Sequence, residues 1–139
     1  LATWMKLIDV EEGLPGKVKA IPELTETHAV FAYAKIAAAA ETSKDVKIAC
    51  FLKALSLTER YLKTSDVYIT MELGQTSGST LEQKLSKVRE RRAALKAVAM
   101  KCADELAVLD TSGTNYEKPL SDTFAAYEVR FDRLIGGKL

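Results

Sequence analysis

The sequence of 139 residues is poor in the side chains that most often carry catalysis and metal binding. It contains one histidine and two cysteines, Cys50 and Cys102, and it has no CxxC motif. Sites built from several histidines are therefore excluded, as are zinc-ribbon and thioredoxin-type folds. Glycine-rich phosphate loops and EF-hand loops are also missing from the sequence. We therefore predict no catalytic residues, no metal and no cofactor, and hence a protein that is not an enzyme.

An excess of charge of one sign and long hydrophobic runs are missing too. The 20 basic and 19 acidic side chains leave a net charge of +1, so no overall field attracts the chain to nucleic acid or to an anionic membrane. The longest apolar-leaning stretch, residues 29–40, is interrupted by Lys35 and is too short to span a bilayer. We expect no membrane insertion. Because cysteines are few, we expect a reducing, cytoplasmic compartment.

Cys50 and Cys102 are 52 positions apart, on two different predicted helices. We interpret them as buried thiols that act as small apolar side chains. A disulfide would need their Cα atoms within about 7 Å, and the sequence leaves that pairing open. The chain begins with Leu1, so we expect a trimmed or processed sequence, and the sequence leaves open whether it is one module of a longer protein.

The sequence that remains is an ordinary globular one, 47% hydrophobic and 28% charged, with helical periodicity. Glycine, proline and polar turns divide it into predicted helices at residues 2–12, 22–41, 46–65, 80–109 and 121–135. We interpret residues 67–70 as the end of an extended third helix, followed by a loop over 74–79. Ser79 and Glu82 have the spacing of a capping box. The predicted fold is all-α: an antiparallel bundle of three long core helices with a shorter helix at each end, forming one domain over residues 1–139.

Arg92 interrupts an otherwise apolar seam on the longest predicted helix. The seam alternates four- and three-residue steps, as in coiled-coil-like packing, and comprises Leu81, Leu85, Val88, Arg92, Leu95, Ala99, Cys102, Leu106 and Leu109. A buried guanidinium without a partner costs several kcal/mol. We expect its stem to cover the core while its head reaches solvent. An internal carboxylate such as Glu59, or a carboxylate from a partner protein, are the alternatives.

The same helix is basic, and this feature raises the question of nucleic acid. Its cations lie on both flanks of the apolar seam and no aromatic side chains alternate with them, whereas a nucleic-acid footprint needs one face and stacking side chains. The cations are Lys84, Lys87, Arg89, Arg91, Arg92, Lys96 and Lys101. We interpret them as solvated flanks of a core helix, with an acidic peptide or a phosphate as the next candidate ligand. Nucleic acid is not expected.

Residues 27–109 resemble the three-helix MIT (microtubule-interacting and trafficking) domain. An alanine-rich helix is followed by a TSKD turn, by KIACFLKALSLTERYLK, by a loop, and by KLSKVRERRAALKAVAMKCADEL. The second helix of the family carries an ALxxYxxALxxLL run, which is matched here by Ala49, Phe51, Ala54, Leu55, Tyr61 and Leu62. The basic turn at residues 88–92 is similar to the start of the family's third helix. The resemblance implies an MIT-like core over 22–109 that binds short helices or extended segments of partner proteins, often ESCRT-III proteins, beside the third helix.

The sequence departs from the family at the residues that would choose the ligand. The family's third helix usually carries acidic residues that pair with a basic peptide. Here the matching residues are 97–100, which are uncharged, and acid appears only at Asp104 and Glu105. The family's basic ligand therefore does not follow for this chain. The helices predicted at both ends have no counterpart in the family either.

We therefore predict a protein–protein interaction module that holds a partner helix or peptide in a groove between its long helices. The predicted partner-binding residues are Leu55, Tyr61, Arg92, Ala94, Val98, Lys101 and Glu105. One alternative is a structural subunit of an oligomeric or filamentous assembly, in which the seam would join chains, and homo-oligomerisation stays open. A second alternative is a helical nucleic-acid-binding domain.

Overall fold

The computed structural model of the protein describes residues 26–136. Within that range the regular secondary structure is entirely helical, which confirms the all-α prediction. The helices are α1 (Glu26–Ala38), α2 (Lys44–Leu62), α3 (Asp66–Gln75), α4 (Leu81–Leu109) and α5 (Glu117–Gly136). The helix predicted at residues 2–12 lies outside the described residues, as does the predicted start of the next helix at residue 22. None of the described helices is long and apolar enough to cross a lipid bilayer.

The turn between α1 and α2 is closed by side chains that satisfy the backbone. The ammonium of Lys47 donates to the carbonyl oxygen of Ala37 at 2.6 Å, near the end of α1, and to that of Ala39 at 2.8 Å, just after the helix. A lysine near a helix C-terminus is a favoured partner for such groups. The Ser43 hydroxyl then accepts the Val46 amide at 3.4 Å and begins α2. As a result, α1 ends at Ala38, three residues before its predicted end.

The chain leaves α2 earlier than predicted and forms a separate helix. Residues 67–70 are not the end of a long helix, because α2 stops at Leu62 and Ser65 has an extended backbone. The Ser65 hydroxyl accepts the Tyr68 amide at 3.4 Å and so caps the new helix α3. Because the chain breaks between α2 and α3, the side chains of Ile69 and Leu73 are buried in the core. The predicted extension to residue 71 is therefore wrong.

The cap of α4 also differs from the prediction, by one residue. The side chain of Thr80, not Ser79, accepts the Gln83 amide at 3.1 Å. The Gln83 side-chain oxygen accepts the Ser79 amide at 2.8 Å, so Glu82 takes no part in this pair of hydrogen bonds. The seam prediction holds along the helix. Its inner positions are buried, namely Leu85, Val88, Arg92, Leu95, Ala99, Cys102 and Leu106.

Helix α5 has 20 residues and is longer than the short terminal helix that we predicted. It runs antiparallel to α4, because residue numbers fall along α5 as they rise along α4: Arg89 pairs with Asp132, Arg92 with Glu128, and Lys96 lies over the ring of Phe124. Helix α2 packs against α1, α4 and α5, while α3 packs against α4 and α5. Buried side chains from all five helices form one hydrophobic core.

Candidate functional site

An open cleft of about 890 Å³ lies where the first turn of α1, the end of α2, helix α3 and the middle of α4 meet. Leu95 and Arg92 of α4 are buried and Tyr61 of α2 is half-buried, so these side chains form its floor. Tyr68 and Met71 of α3 are exposed at its rim. Because only three residues, 63–65, separate α2 from α3, the short connection holds this rim beside Tyr61.

The floor contains a buried ion pair between α4 and α5. Arg92 is 3% exposed, and its Nε and Nη2 donate to the two carboxylate oxygens of Glu128 at 2.6 and 3.1 Å. The guanidinium carbon lies 4.0 Å from the ring centroid of Phe131 and 5.1 Å from that of Tyr127. Its Nη1 is buried, and within the described residues it has no hydrogen-bond partner. Ring faces attract a cation and cover its buried side.

Our expectation that the head of Arg92 reaches solvent is therefore wrong. The internal pair, which we kept as an alternative, is the arrangement that forms, but its carboxylate belongs to Glu128. Glu59 instead forms an exposed pair with Lys63, one turn along the same helix, at 2.5 Å. The bidentate geometry occupies the guanidinium edge that a partner's carboxylate would need. Arg92 thus holds α5 against α4 below the cleft.

A tyrosine and a glutamate join α2 to α3 at the side of the cleft. The Tyr61 hydroxyl donates to the Glu72 carboxylate, with its oxygen 2.7 and 2.9 Å from the two carboxylate oxygens. Burial first, and then the charge of Glu72, raise the pKa of Tyr61 well above its usual range. The hydroxyl therefore stays protonated and donates this hydrogen bond. The Tyr61 ring stacks on Tyr127 of α5 with centroids 5.6 Å apart.

Arg91 fixes the other end of α3 to α4. Its Nη2 donates to the Thr76 hydroxyl at 2.6 Å and lies 3.7 Å from a carboxylate oxygen of Glu72. Thr76 in turn donates to the Glu72 carbonyl at 2.7 Å. These contacts fix the end of α3 to α4, so the rim of the cleft is braced from both sides.

The described residues that line the cleft carry an excess of positive charge. Four of them are cations, Arg60, Lys63, Arg91 and Arg92, and one, Glu72, is a carboxylate. Beside these charges Tyr68 is 62% exposed and Met71 is 46% exposed. The two are three residues apart, so they lie on one side of α3. The exposed apolar side chains of α3 therefore lie beside cationic side chains.

The structure brings two of the seven predicted binding residues, Tyr61 and Arg92, to this cleft. The other five do not line it: Leu55, Ala94, Val98, Lys101 and Glu105. Leu55 and Val98 are half-buried against the core, and Glu105 is half-buried as well. Ala94 and Lys101 are exposed. The four residues of α4 follow steps of four, three and four and so share one face of that helix.

Sequence reasoning missed the residues that α3 and its neighbours supply, namely Tyr68, Met71, Glu72 and Arg91. They were missed because α3 was interpreted as the end of α2. The polar segment Thr64-Ser65-Asp66 was the available signal, since serine is a favoured N-cap and aspartate is favoured in a first helical turn.

Tyr61 and the two cysteines are held within the fold. The hydroxyl of Tyr61 is engaged by Glu72, and both thiols are buried and unpaired, at Cys50 and Cys102. Over residues 26–136 no three metal-binding side chains come together. The cleft therefore has an exposed apolar strip and side chains that internal contacts hold in place. No protein-family model, curated protein or solved structure matches this chain.

Proposed function

We propose that this chain is a non-enzymatic protein–protein interaction module whose cleft holds a helical segment of a partner protein. The observation that carries the proposal is the exposed strip of Tyr68 and Met71 beside four cationic side chains. Helix-in-groove recognition needs an apolar surface for anchor residues and fixed side chains around it. The contacts of Tyr61 and Arg91 fix these surroundings before a partner arrives, which lowers the entropy cost of binding.

The partner that we propose is an acidic amphipathic helix, whose carboxylates would compete with Glu59 for Lys63 and with Glu72 for Arg91. Such a helix would place apolar side chains on the α3 strip and carboxylates near Arg60, Lys63 and Arg91. Complementary charge increases the rate of association and suppresses basic competitors. The proposed ligand thus has the opposite charge to the one usual for the MIT family.

The resemblance to the MIT domain supports the same general role. We propose that α1, α2 and α4 form an antiparallel three-helix core of that kind, to which α3 and α5 are added. The buried thiols of Cys50 and Cys102 support a reducing, cytoplasmic setting for the module.

Two observations favour this function over the alternatives. The inner seam of α4 is buried within one chain, so it offers no free surface for assembling a filament. Three arginines of the basic helix pair with carboxylates of the same chain: Arg89 with Asp132, Arg91 with Glu72 and Arg92 with Glu128. Internal pairing weakens the field that nucleic acid would require.

A labelled probe helix tests the proposal. The probe is a synthetic peptide of about 15 residues with leucines at i, i+3, i+4 and i+7 and glutamates elsewhere, and its binding is followed by fluorescence anisotropy. We expect saturable binding that weakens at least tenfold when Tyr68→Ser and Arg91→Glu are combined. Val108→Ser is the matched control, because Val108 is 81% exposed and does not line the cleft.

A second probe, in which lysines replace the glutamates, should bind more weakly than the acidic probe. Equal binding of the two probes, or acidic binding that the cleft variant leaves unchanged, contradicts the proposal. Circular dichroism of each variant verifies that the fold is intact.

A further inference from the structure

We propose that helix α3 unfolds locally, as one unit, while the other four described helices stay folded, and that a bound partner holds α3 closed. The second part rests on the proposed function, because the partner would lie on the exposed strip of α3. The first part rests only on the contacts that α3 makes inside the chain.

Helix α3 buries little of its own surface. Two of its ten residues, Ile69 and Leu73, are buried, whereas Val67, Tyr68 and Met71 are exposed. Isolated helices shorter than about 12–15 residues are marginal in water, because each additional residue adds only one hydrogen bond to a costly nucleus. Helix α3 therefore stays helical only while it is held against its neighbours, and it unfolds when it detaches.

Polar contacts with α2 and α4 hold the last turn of α3. The Glu72 carboxylate accepts the Tyr61 hydroxyl and lies 3.7 Å from Nη2 of Arg91, which also donates to the Thr76 hydroxyl. Tyr61 and Glu72 are half-buried and Arg91 is exposed. Because water reaches these charges, detachment of α3 does not leave an unpaired charge in a dry core.

The first turn of α3 is held by one arginine of α5. Nε of Arg130 lies 3.3 Å from a carboxylate oxygen of Asp66, and Nη2 of Arg130 donates to the Thr64 carbonyl oxygen. Nε makes no hydrogen bond within the described residues, and the Asp66 side chain is 54% exposed. Exposed ion pairs contribute little to stability. The two ends of α3 are thus held independently, by side chains of different helices.

The other helices have contacts that do not pass through α3. Helices α2, α4 and α5 pack directly against one another, so a core remains when α3 detaches. Residues 63–65 and 76–80 connect α3 to its neighbours, and residues 77–79 are exposed. Local opening of this kind involves a small fraction of native molecules. It is therefore compatible with unfolding of the whole core in a single transition.

A bound partner would favour the closed state of α3. Tyr68 and Met71 both belong to α3, so the exposed strip exists only while this helix is formed. A ligand that binds one of two states shifts the population toward that state. The free chain then opens at residues 63–80, where a protease can cut the unfolded segment, and the bound chain is protected there.

Amide hydrogen exchange, resolved by residue with NMR, tests whether α3 opens as one unit. In the unmodified chain the amides of residues 69–75 should share one free energy of opening and exchange at least tenfold faster than the amide of Leu95, in the middle of α4. Tyr61→Phe removes a contact at the last turn, and Arg130→Gln removes one at the first turn. Each should speed exchange at least threefold over all of residues 69–75.

Tyr116→Phe is the matched control, because the Tyr116 hydroxyl also donates to a carboxylate, that of Asp110 at the far end of α4. It should leave exchange in α3 unchanged. Equal acceleration of α3 in this control overturns the inference, because α3 would then exchange only when the whole chain unfolds. Acceleration confined to the turn beside each substitution overturns it too, since α3 would then fray from its ends. Circular dichroism verifies that each variant is folded.

The acidic probe distinguishes this inference from the proposed function. At saturating concentration it should slow exchange over residues 69–75 at least tenfold in the unmodified chain. If the probe binds but leaves this exchange unchanged, closure of α3 by a partner is refuted and binding itself stands. If α3 opens as one unit and the probe does not bind, the local unfolding stands and the proposed function is refuted.

Discussion

At the residue scale, Arg92 and Glu128 differ in exposure although they form one ion pair. The arginine side chain is 3% exposed and the glutamate side chain 47% exposed. Removing the carboxylate leaves a buried cation without its counter-charge, whereas removing the arginine leaves a carboxylate that water can reach. The two deletions therefore have unequal costs, even though each removes the same pair.

We expect Glu128→Ala to reduce the free energy of unfolding by about 1–3 kcal/mol, because it leaves the guanidinium without its acceptor. Arg92→Leu should leave stability unchanged or raise it, since leucine continues the apolar seam and no buried charge remains. Urea denaturation at constant m-value measures both. Glu59→Ala is the matched control, and its exposed pair with Lys63 should contribute less than about 1 kcal/mol. A larger loss for Arg92→Leu than for Glu128→Ala would contradict this account.

The two thiols predict how stability depends on alkaline pH. Burial raises the pKa of Cys50 from 9.0 to about 11. Burial, and then the charge of Glu105 against the opposing charge of Lys101, raise the pKa of Cys102 to about 12. Both thiols stay protonated in the fold but ionise near pH 9 when the chain unfolds. Stability is therefore fully present below pH 9.0 and is lost as the pH rises toward these higher values.

We expect the free energy of unfolding to fall as the pH rises from about 9 to about 12, and the fall to become smaller when Cys50→Ala and Cys102→Ala are combined. Urea titrations under a reducing agent at several pH values measure the slope. Tyr61 and Tyr127 also have raised pKa values. Above the usual tyrosine pKa of 10.0 they therefore lower the stability of the unmodified chain and of the double variant alike. An equal slope in the two chains would mean that the thiols are not buried from water.

At the scale of the element, what the sequence could predict depended on the length of each pattern. The seam of α4 repeats over 29 residues, so its buried face was predicted correctly, including the position of Arg92. Helix α3 has 10 residues, and its apolar run Val67–Thr70 fits helix, strand or helix end equally well. It is separated from α2 by the extended backbone of Ser65, whose hydroxyl accepts the Tyr68 amide. Glu128 could not be identified either, since an ion pair 36 residues apart depends on how helices pack.

The cap of α4 gives a prediction at this scale. We expect Thr80→Ala to destabilise the protein by about 0.5–2 kcal/mol, because it removes the acceptor of the Gln83 amide. Ser79→Ala should stay within about 0.5 kcal/mol, since the Ser79 amide that donates to Gln83 is kept. Equilibrium unfolding of the two variants compares them directly. A larger loss of stability for Ser79→Ala than for Thr80→Ala would instead support the cap predicted at Ser79.

At the scale of the whole molecule, one core joins all five helices, so they should unfold together. Leu95 is completely buried in the middle of α4, and Leu95→Ala should cost about 2–5 kcal/mol. Leu55 is only half-buried, so Leu55→Ala should cost less. Far-UV and near-UV circular dichroism, followed in the same denaturant series, measure the transition. Separate midpoints for the two signals would contradict a single cooperative transition.

The contacts between α4 and α5 have a consequence for how the chain finds its native alignment. Arg89, Arg92 and Lys96 of α4 repeat at nearly the same interval as Asp132 and Glu128 of α5. If α5 slid by one turn, about 5.4 Å, Arg92 would meet Asp132 and Lys96 would meet Glu128. Two cation–carboxylate pairs form in either alignment, so charge alone does not distinguish them. The ring of Phe131, 4.0 Å from the Arg92 guanidinium, supplies the distinction. The packing of Phe131 thus selects one of two helix alignments that have the same number of ion pairs. A smaller side chain at position 131 would let the shifted alignment persist as a folding trap.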